Sequence, residues 1–561
     1  MDPSVVRRLQ EELRLPEPVC AVLAAREVTD PEHAKNFLRP RLGHLHDAQQ
    51  LADGAVAADR IHRAVTDRET ILVHGDYDVD GICATALLTR YLRSLGAMVE
   101  PFVPHRIRDG YDFGEAGLRE AKRVDASVLV TADCGTTAWD AVDRARAEGV
   151  DVIVTDHHTP EPRPPGGLAF VNPRRSDCPY PDKGLCGTAV AFKLSELVRR
   201  RFHASEEELR EHLDLVALAT VADLVPLQGE NRVLVRIGLR YLARTRVLGL
   251  AQLMGTAGVD PAAVTAGQLG FVVAPRINAA GRIGESADAL HLLLSEDVVQ
   301  ARVLAERLEA VNRDRRDEDR RTLDQALELL AAEFRPERDY GVVLAAEGWH
   351  PGVIGIVASR VVERIHRPVV MVALDGDKGR GSARSIPGFH LYDALAACKA
   401  HLGRFGGHRQ AAGMDLDRRD VTNLRTCFNR EARARLGDRE LRPVLHPDVE
   451  LSLREMDLDL VHWLDYLAPH GIGNPRPLLL VRDVRLERPR VLKDLHLKVT
   501  LRRNGASLDA IGFGMAEAHP PGSLGQEAYD VVLRLERNEW RGTARAQGRL
   551  VDLRPTAESP S

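Results

Sequence analysis

The sequence predicts an α/β protein in which two α/β domains are joined by a long helix and followed by a small β barrel. Three observations predict it. Short apolar runs alternate with helical stretches from about residue 70 to 155, and the alternation resumes at Tyr340. Between these regions, from Leu304 to about Glu337, lies RLEAVNRDRRDEDRRTLDQALELL, highly charged with apolar residues at helical spacing. Beyond Leu453, apolar and polar side chains alternate at the strand period.

The elements follow in chain order. Ile71 to Val73 reads as a strand, and Ile82 to Leu95 as an amphipathic helix ending at Gly96. Val128 to Val130 is a strand, Ala138 to Ala147 a helix, and Val152 to Val154 a further strand. Strands alternating with helices imply a mostly parallel sheet with helices on its faces. In the charged stretch, acids and bases three and four apart support an exposed helix bridging two domains. In the second α/β unit, Val342 to Leu344 and Val369 to Val372 read as strands and Val353 to Arg364 as a helix. Glycine-rich loops are expected at Gly376 to Gly381 and at Gly403 to Gly407. LHLKVTLRR, ASLDAIGFG, YDVVLRLER and RAQGRLVDLRP then supply barrel strands. The tail after Pro555 is expected to be disordered.

At 561 residues the chain is too long for one compact domain, and its 44% hydrophobic content supplies a core for several. No apolar run approaches a membrane span. The first residues, MDPSVVRRLQEEL, carry acidic groups and no apolar signal core, so a cytoplasmic location without a membrane partner is expected. Seven cysteines, an odd number without close pairs, argue against a disulfide framework and a Cys-type zinc site. Cys178 and Cys186 read as reduced thiols, and Cys83 and Cys134 as small apolar packing. The net charge of −5 mildly disfavours nucleic acid, although a cluster of active-site carboxylates lowers that total.

The segment HGDYDVDG, residues 74 to 81, follows an apolar strand and precedes a helix. Reactive groups of an open α/β sheet collect beyond the carboxyl ends of its strands. His74, Asp78 and Asp80 sit at such an end, Asp133 follows the next strand, and Asp156, His157 and His158 follow the third. Any one of these acids is more often a helix cap or turn residue. Together they would repel one another unless cations neutralised them. A mixed oxygen and imidazole set suits Mn²⁺ or Mg²⁺. Two such ions about 3.5–4 Å apart can clamp a phosphate and activate a nucleophile.

This spacing resembles the DHH phosphoesterase superfamily, whose fourth motif is matched by Asp223 in LATVADLVPL. The resemblance implies two divalent metal ions, one held by His74, Asp78 and Asp133, the other by Asp80, Asp133, His157 and Asp223. Asp133 would bridge them, His158 would contact the scissile phosphate, and Asp156 would orient a histidine.

Several segments further resemble the RecJ-type exonucleases of that superfamily. APRINAAGRIG, residues 274 to 284, would turn Arg276, Asn278 and Arg282 to the substrate backbone; a loop arginine is otherwise merely solvated. His350 in EGWHPGVIGIVASRVVE precedes a helix whose backbone N–H groups can face an anion. GRGSARS places Ser382 and Arg384 on one strand face as a phosphate pocket. GRFGGHRQAAGM resembles the DHHA1 glycine signature, where Gly406 and Gly407 admit a close ligand and His408 and Arg409 offer donors. LAPHGIGNPRP, residues 467 to 477, is similar to the segment entering an OB-fold, in which Phe513, Tyr529 and Trp540 are stacking candidates. One departure is VPHRIRDGYDFG where the family tends to a GYG-like segment, with Arg106 still a substrate contact.

The expected organisation is a helical segment at 1–45, a DHH catalytic domain at 46–235 and a helical region with connecting helix at 236–338. A DHHA1 domain at 339–445, an OB-fold at 446–555 and a disordered tail at 556–561 complete it. The resemblance implies a single-stranded-DNA exonuclease of 5′→3′ polarity releasing mononucleotides in DNA repair and recombination; a cleft that threads one strand needs only a monomer. A single-strand-binding protein and a helicase are its implied partners. A small-substrate phosphodiesterase acting on short oligonucleotides or cyclic dinucleotides is the alternative. A non-catalytic scaffold would have lost metal ligands, and none is missing.

Overall fold

The computed structural model describes residues 2–110, 112–437, 441–525 and 527–556. Of the tail expected to be disordered, Thr556 is instead held, its backbone N–H donating to the Ala528 carbonyl at 2.8 Å, and residues 557–561 lie outside the described residues. Two compact units form: Met1–Pro104, Asp109–Ala274 and Leu445–Ser561 make the first, and His105–Arg108 with Pro275–Val444 the second.

The first unit holds a parallel five-stranded sheet: β1 Thr70–Gly75, β2 Met98–Phe102, β3 Val128–Ala132, β4 Asp151–Thr155 and β5 Ala169–Val171. Its spatial order is β2-β1-β3-β4-β5, so the chain reverses its direction of travel across the sheet between β1 and β3. Such a reversal leaves a crevice at the carboxyl ends of the strands. β1, β3 and β4 are buried on both faces, which is why each reads as a plain apolar run. Helix Val79–Ser94, expected to be amphipathic, is instead buried almost all round. Helices Gly187–Phe202 and Leu213–Ala222 pack against it.

The second unit contains the sheet β6 Val342–Glu347, β7 Val369–Asp375, β8 Lys378–Arg384, β9 Phe405–Gly407 and β10 Ala411–Asp417, in the order β6-β7-β8-β10-β9. The expected glycine-rich loops are therefore corrected. Gly379 and Gly381 lie within β8, and Gly406 and Gly407 within β9. The glycines of β8 leave room for neighbours, since a Cβ on Gly381 would lie 2.6 Å from Met414 Cγ. The charged stretch is one helix, Val298–Glu333. A disulfide joins Cys398 to Cys427, 29 residues apart, a pairing no local spacing could show. Cys20, Cys83, Cys134, Cys178 and Cys186 are free and buried.

The third sheet, in the first unit, comprises β11 Val449–Glu450, β12 Leu479–Leu492, β13 His496–Arg503, β14 Ala506–Gly512, β15 Tyr529–Trp540 and β16 Thr543–Pro555. The β12–β15 pairing closes five of these strands into a barrel. The N-terminal helices Pro3–Leu13, Glu17–Ala25 and Pro31–Leu38 share one apolar core with this barrel. No helix among the described residues is long and apolar enough to cross a membrane.

Arg232, on helix Gly229–Leu242, ties these parts together. It is 2% exposed, and no carboxylate pairs with it among the described residues. Its Nε donates to the Phe37 carbonyl at 2.6 Å, and Nη2 donates to the Leu467 and Ala468 carbonyls at 2.9 Å each. The guanidinium stacks 3.6 Å from the Phe37 ring centroid. Burial, with Arg236 and Arg26 adding like charge, lowers its pKa to about 9. Carbonyl oxygens and an aromatic face thus take the place of a counter-ion. Arg232→Ala leaves those carbonyls buried without donors and is expected to cost about 3 kcal/mol. Urea unfolding measures it; a loss below about 0.5 kcal/mol, the size of an ordinary surface substitution, would remove the clamp assignment.

Candidate metal centre

β1, β3 and β4 each end at the crevice in an acid or an imidazole. Asp78 is the N-cap of helix Val79–Ser94, its Oδ1 accepting from the backbone N–H groups of Asp80 at 2.9 Å and Gly81 at 3.1 Å. The ordinary capping role and a ligand role therefore coexist, because the second oxygen is not used by the cap. Asp80 is held from across the crevice by the start of helix Gly187–Phe202. Its Oδ2 accepts from Gly187 N at 2.6 Å, and its Oδ1 from Thr188 N at 2.8 Å and Thr188 Oγ1 at 2.6 Å. A helix N-terminus favours negative charge there.

Asp133 takes a left-handed backbone, φ +63, just beyond β3. That conformation is uncommon for a residue with a side chain and aims its carboxylate into the cluster. Gly187 makes room for it: a Cβ at that position would lie 2.5 Å from Asp133 Cβ. After β4, Asp156 Oδ1 accepts from the backbone N–H of His157 at 2.7 Å and of His158 at 3.1 Å, and pairs with His158 Nδ1 at 2.7 Å. Its Oδ2 accepts from Thr136 N at 3.0 Å. His157 Nε2 lies 3.1 Å from Asp133 Oδ1, 3.6 Å from Asp223 Oδ2 and 3.8 Å from Asp80 Oδ2.

Ligand atoms within 4.8 Å of one another form three overlapping groups: Asp76, Asp78 and Asp133; Asp80, His157 and Asp223; and Asp133, Asp156, His157 and His158. Five of the six expected metal ligands are thus brought together. His74 stands outside these groups, buried between the Phe102 and Phe113 rings. Asp76 joins instead. It lies within the same HGDYDVDG segment, and its sequence signal is its place as the first acid of that run.

Burial is the main cause of every raised carboxylate here. It lifts Asp133 well above the carboxylate range, with Asp80, Asp78 and Asp223 adding repulsion. It raises Asp78 beside Asp80, and lifts Asp223 to about 9. His74 is lowered by burial to about 4, so its imidazole is neutral. Burial alone would lower His158, but the hydrogen bond and charge of Asp156 raise it to about 9. Burial alone would raise Asp156, yet His158 and Thr136 hold it below the usual range.

Buried polar atoms ordinarily find partners. Here His74 Nε2, Asp133 Oδ1, both ring nitrogens of His157 and Asp223 Oδ2 are buried without a hydrogen bond. Orphaned acceptors of oxygen and neutral imidazole type, crowded into one crevice, fit hard or borderline divalent cations. Gly187, Thr188, Thr136 and Asn172 support them. Asn172 Nδ2 donates to the His158 carbonyl at 2.9 Å. None of these four carried a sequence signal, because each acts through tertiary placement alone.

In the second unit, Ser382 and Arg384 share one face of β8, with Arg384 Nη1 3.3 Å from Ser382 Oγ. Helix Ile354–Ile365 begins over them: a Cβ on Gly355 would lie 2.8 Å from Ser382 Oγ and 3.0 Å from Arg384 Nη2. Burial lowers the pKa of Arg384, and the like charge of Arg106 lowers it further. His350 Nδ1 accepts from Gly352 N at 3.0 Å, and Arg282 donates to the Gly352 carbonyl at 3.3 Å. APRINAAGRIG is helical, Ala274–Ile283, rather than a loop. Arg276, on that helix with Asn278, is buried and ion-paired with Glu309. Gly406 opens onto free space, and His408 and Arg409 are exposed beyond β9. In the barrel, Phe513 and Trp540 are exposed, whereas Tyr529 is buried and donates to Glu527.

The first sheet and its cluster are those of a DHH-type phosphoesterase domain. Residues 70–220 match the family described as DHH family, N-terminal domain, residues 339–434 the DHHA1 domain, and residues 447–552 the RecJ OB domain. The single-stranded-DNA-specific exonuclease RecJ of Bacillus subtilis is 36% identical over 97% of this chain and 69% of its own length. That of Dickeya dadantii is 36% identical over 96% of this chain and 97% of its own. RecJ from Thermus thermophilus in complex with Mn²⁺ superposes with a TM-score of 0.84 at 31% identity, covering 99% of this chain and 78% of that one. The chain belongs to the RecJ family.

Two outcomes are expected of the cluster. Gly187→Ala drives a methyl group into Asp133 and should weaken Mn²⁺ binding by about tenfold or more, read by calorimetric titration. The pH dependence has a definite sign. Asp223 rises from its ordinary 3.8 to about 9 in the folded state, so without metal the native state keeps a proton that the unfolded chain loses. That stabilisation is complete below the unfolded value and is lost as pH rises through the folded one. The gain in Tm on adding Mn²⁺ should accordingly be larger at about pH 8 than at about pH 5.5. Equal gains at both would contradict the shift.

Proposed function

We propose that this chain is a metal-dependent exonuclease that hydrolyses single-stranded DNA in the 5′→3′ direction to nucleoside 5′-monophosphates, acting in DNA repair and recombination. The observation that carries the reading is the orphaned carboxylate and imidazole cluster at the β1/β3 crevice, on a chain related along its length to single-stranded-DNA-specific exonucleases.

Asp76, Asp78, Asp80, Asp133, His157 and Asp223 would hold two divalent cations, Mn²⁺ or Mg²⁺, with Asp133 shared and His74 lining the same crevice. The bound cations would polarise the phosphate and acidify an attacking water. His158, kept protonated by Asp156, presents a positive charge to a phosphate oxygen. Thr136 and Asn172 fix the backbone that carries this pair. Ser382, Arg384 and Arg106 form a basic pocket suited to a terminal phosphate, and Arg282, His350 and Gly352 lie near the start of the helix behind it. Gly406, Gly407, His408 and Arg409 offer an open shelf for the backbone of a strand.

The barrel supports a long substrate. A groove of about 1030 Å³ beside Trp540 is lined by the cations Lys498, Arg541 and Arg545 and by the acids Asp457, Asp459 and Asp509. The exposed indole of Trp540 suits unpaired bases, which stack without regard to sequence. A helicase would generate such a strand and a single-strand-binding protein would present it.

Digestion of 5′- and 3′-labelled single and double strands with Mn²⁺, Mg²⁺ or chelator tests substrate class, polarity and cofactor together. Asp133→Ala should abolish hydrolysis and leave strand binding measurable by fluorescence anisotropy. Mn²⁺-dependent turnover in that variant would refute the site. Cleavage confined to oligomers of a few nucleotides would point to a small-substrate phosphodiesterase.

A further inference from the structure

The carboxylates of the metal centre are not secured alike. Asp80 accepts three hydrogen bonds from Gly187 and Thr188, Asp156 is fixed by backbone donors and His158, and Asp78 caps a helix. The Asp223 carboxylate accepts no hydrogen bond among the described residues; its polar contact is with His157 Nε2 at 3.6 Å. Its position therefore depends on its backbone. Asp223 ends helix Leu213–Ala222, Leu224 is left-handed at φ +59, and the turn through 225–228 leads into helix Gly229–Leu242.

That turn is pinned by a segment nearly 250 residues further along. Leu227 N donates to the Ile472 carbonyl at 2.7 Å, and Gln228 Nε2 to the Gly473 carbonyl at 3.0 Å. The fit is tight: a Cβ on Gly471 would lie 2.7 Å from Leu227 Cδ1, and one on Gly473 3.0 Å from Pro226 Cβ. The segment is itself braced. Asn474 is fully buried, and its Nδ2 donates to the Leu467 carbonyl at 2.9 Å and the Pro469 carbonyl at 2.8 Å. Its Oδ1 accepts from Arg26 Nη1 at 2.6 Å, while Arg232 donates to the Leu467 and Ala468 carbonyls. Every residue in this relay belongs to the first unit.

We infer that the segment Leu467–Asn474, at the start of the barrel domain, is a positioning element for the metal ligand Asp223. The barrel domain thereby sets the geometry of the metal centre as well as offering a surface to the strand. The inference rests on the reading of Asp223 as a ligand. Its physical basis is that outer groups which orient a ligand control metal affinity, typically by about 10–100-fold.

Titration with Mn²⁺, with free ion read by electron paramagnetic resonance, tests it. Asn474→Ala should weaken one Mn²⁺ equivalent by about tenfold or more and leave the other unchanged. Its cleavage rate should recover as Mn²⁺ is raised. Gln228→Ala, a change at an exposed side chain that leaves the fold intact, should weaken the same equivalent by a smaller factor and decides the matter if Asn474→Ala fails to fold. Trp540→Ala, far along the barrel strand, should leave the Mn²⁺ isotherm unaltered. Folded variants that bind Mn²⁺ as the unsubstituted protein does, or that lose both equivalents in parallel, would overturn the inference. Asp223→Asn separates the two levels. If it too leaves Mn²⁺ binding unchanged, the ligand reading falls; if it alone loses an equivalent, only the positioning role falls.

Discussion

Like charges buried within a few ångströms of one another are the constraint on which the catalytic unit depends. Asp78, Asp80, Asp133 and Asp223 crowd one crevice; burial raises the proton affinity of Asp133, and the other three raise it further. Such a cluster persists only with protons or cations in it. Around Asp78 and Asp80 the fold supplies fixed dipoles rather than counter-charges, while Asp156 is paired with His158. The start of helix Gly187–Phe202 points at Asp80, the start of helix Val79–Ser94 rests on Asp78, and backbone N–H groups converge on Asp156. These donors aim the side chains, and the cap at Asp78 uses one of its two carboxylate oxygens.

The parallel sheet makes that arrangement available. Because β1 lies between β2 and β3, the loops after β1 and β3 diverge and leave an opening at their carboxyl ends. β4 adds a third loop beside it. Apolar side chains fill both faces beneath, so the strands are rigid where the loops must be accurate. Elsewhere the same avoidance of counter-charges recurs: Arg232 is neutralised by carbonyls and an aromatic ring, without an acid.

Legibility in the sequence followed burial. β1, β3 and β4 were readable because full burial makes them apolar throughout. β2 was not, since MVEPF is an edge strand with a proline and an exposed methionine. β12 was hidden by its bulges near Asp483 and Arg488, which break the two-residue alternation, and by Pro489. At the site, strand-end acids announced themselves by joint spacing. Asp223 was visible only through family resemblance, because it ends a helix rather than a strand. Gly187 and Thr188 were silent: an amide donor or a missing methyl group has no signature until the fold brings it opposite a carboxylate. Arg276 shows the converse, a motif arginine that the fold buries against Glu309.

The hydrogen bonds between the turn after Asp223 and the segment before the barrel join residues more than 230 positions apart, and Arg26 reaches Asn474 across 448. During synthesis, a chain that emerges from its amino end exposes the acids of the crevice long before their last brace exists. The nascent protein passes through a stage in which a crowded, negatively charged pocket is translated but incompletely framed. The frame of the crevice is completed only when the barrel domain has been made, well after the acids themselves.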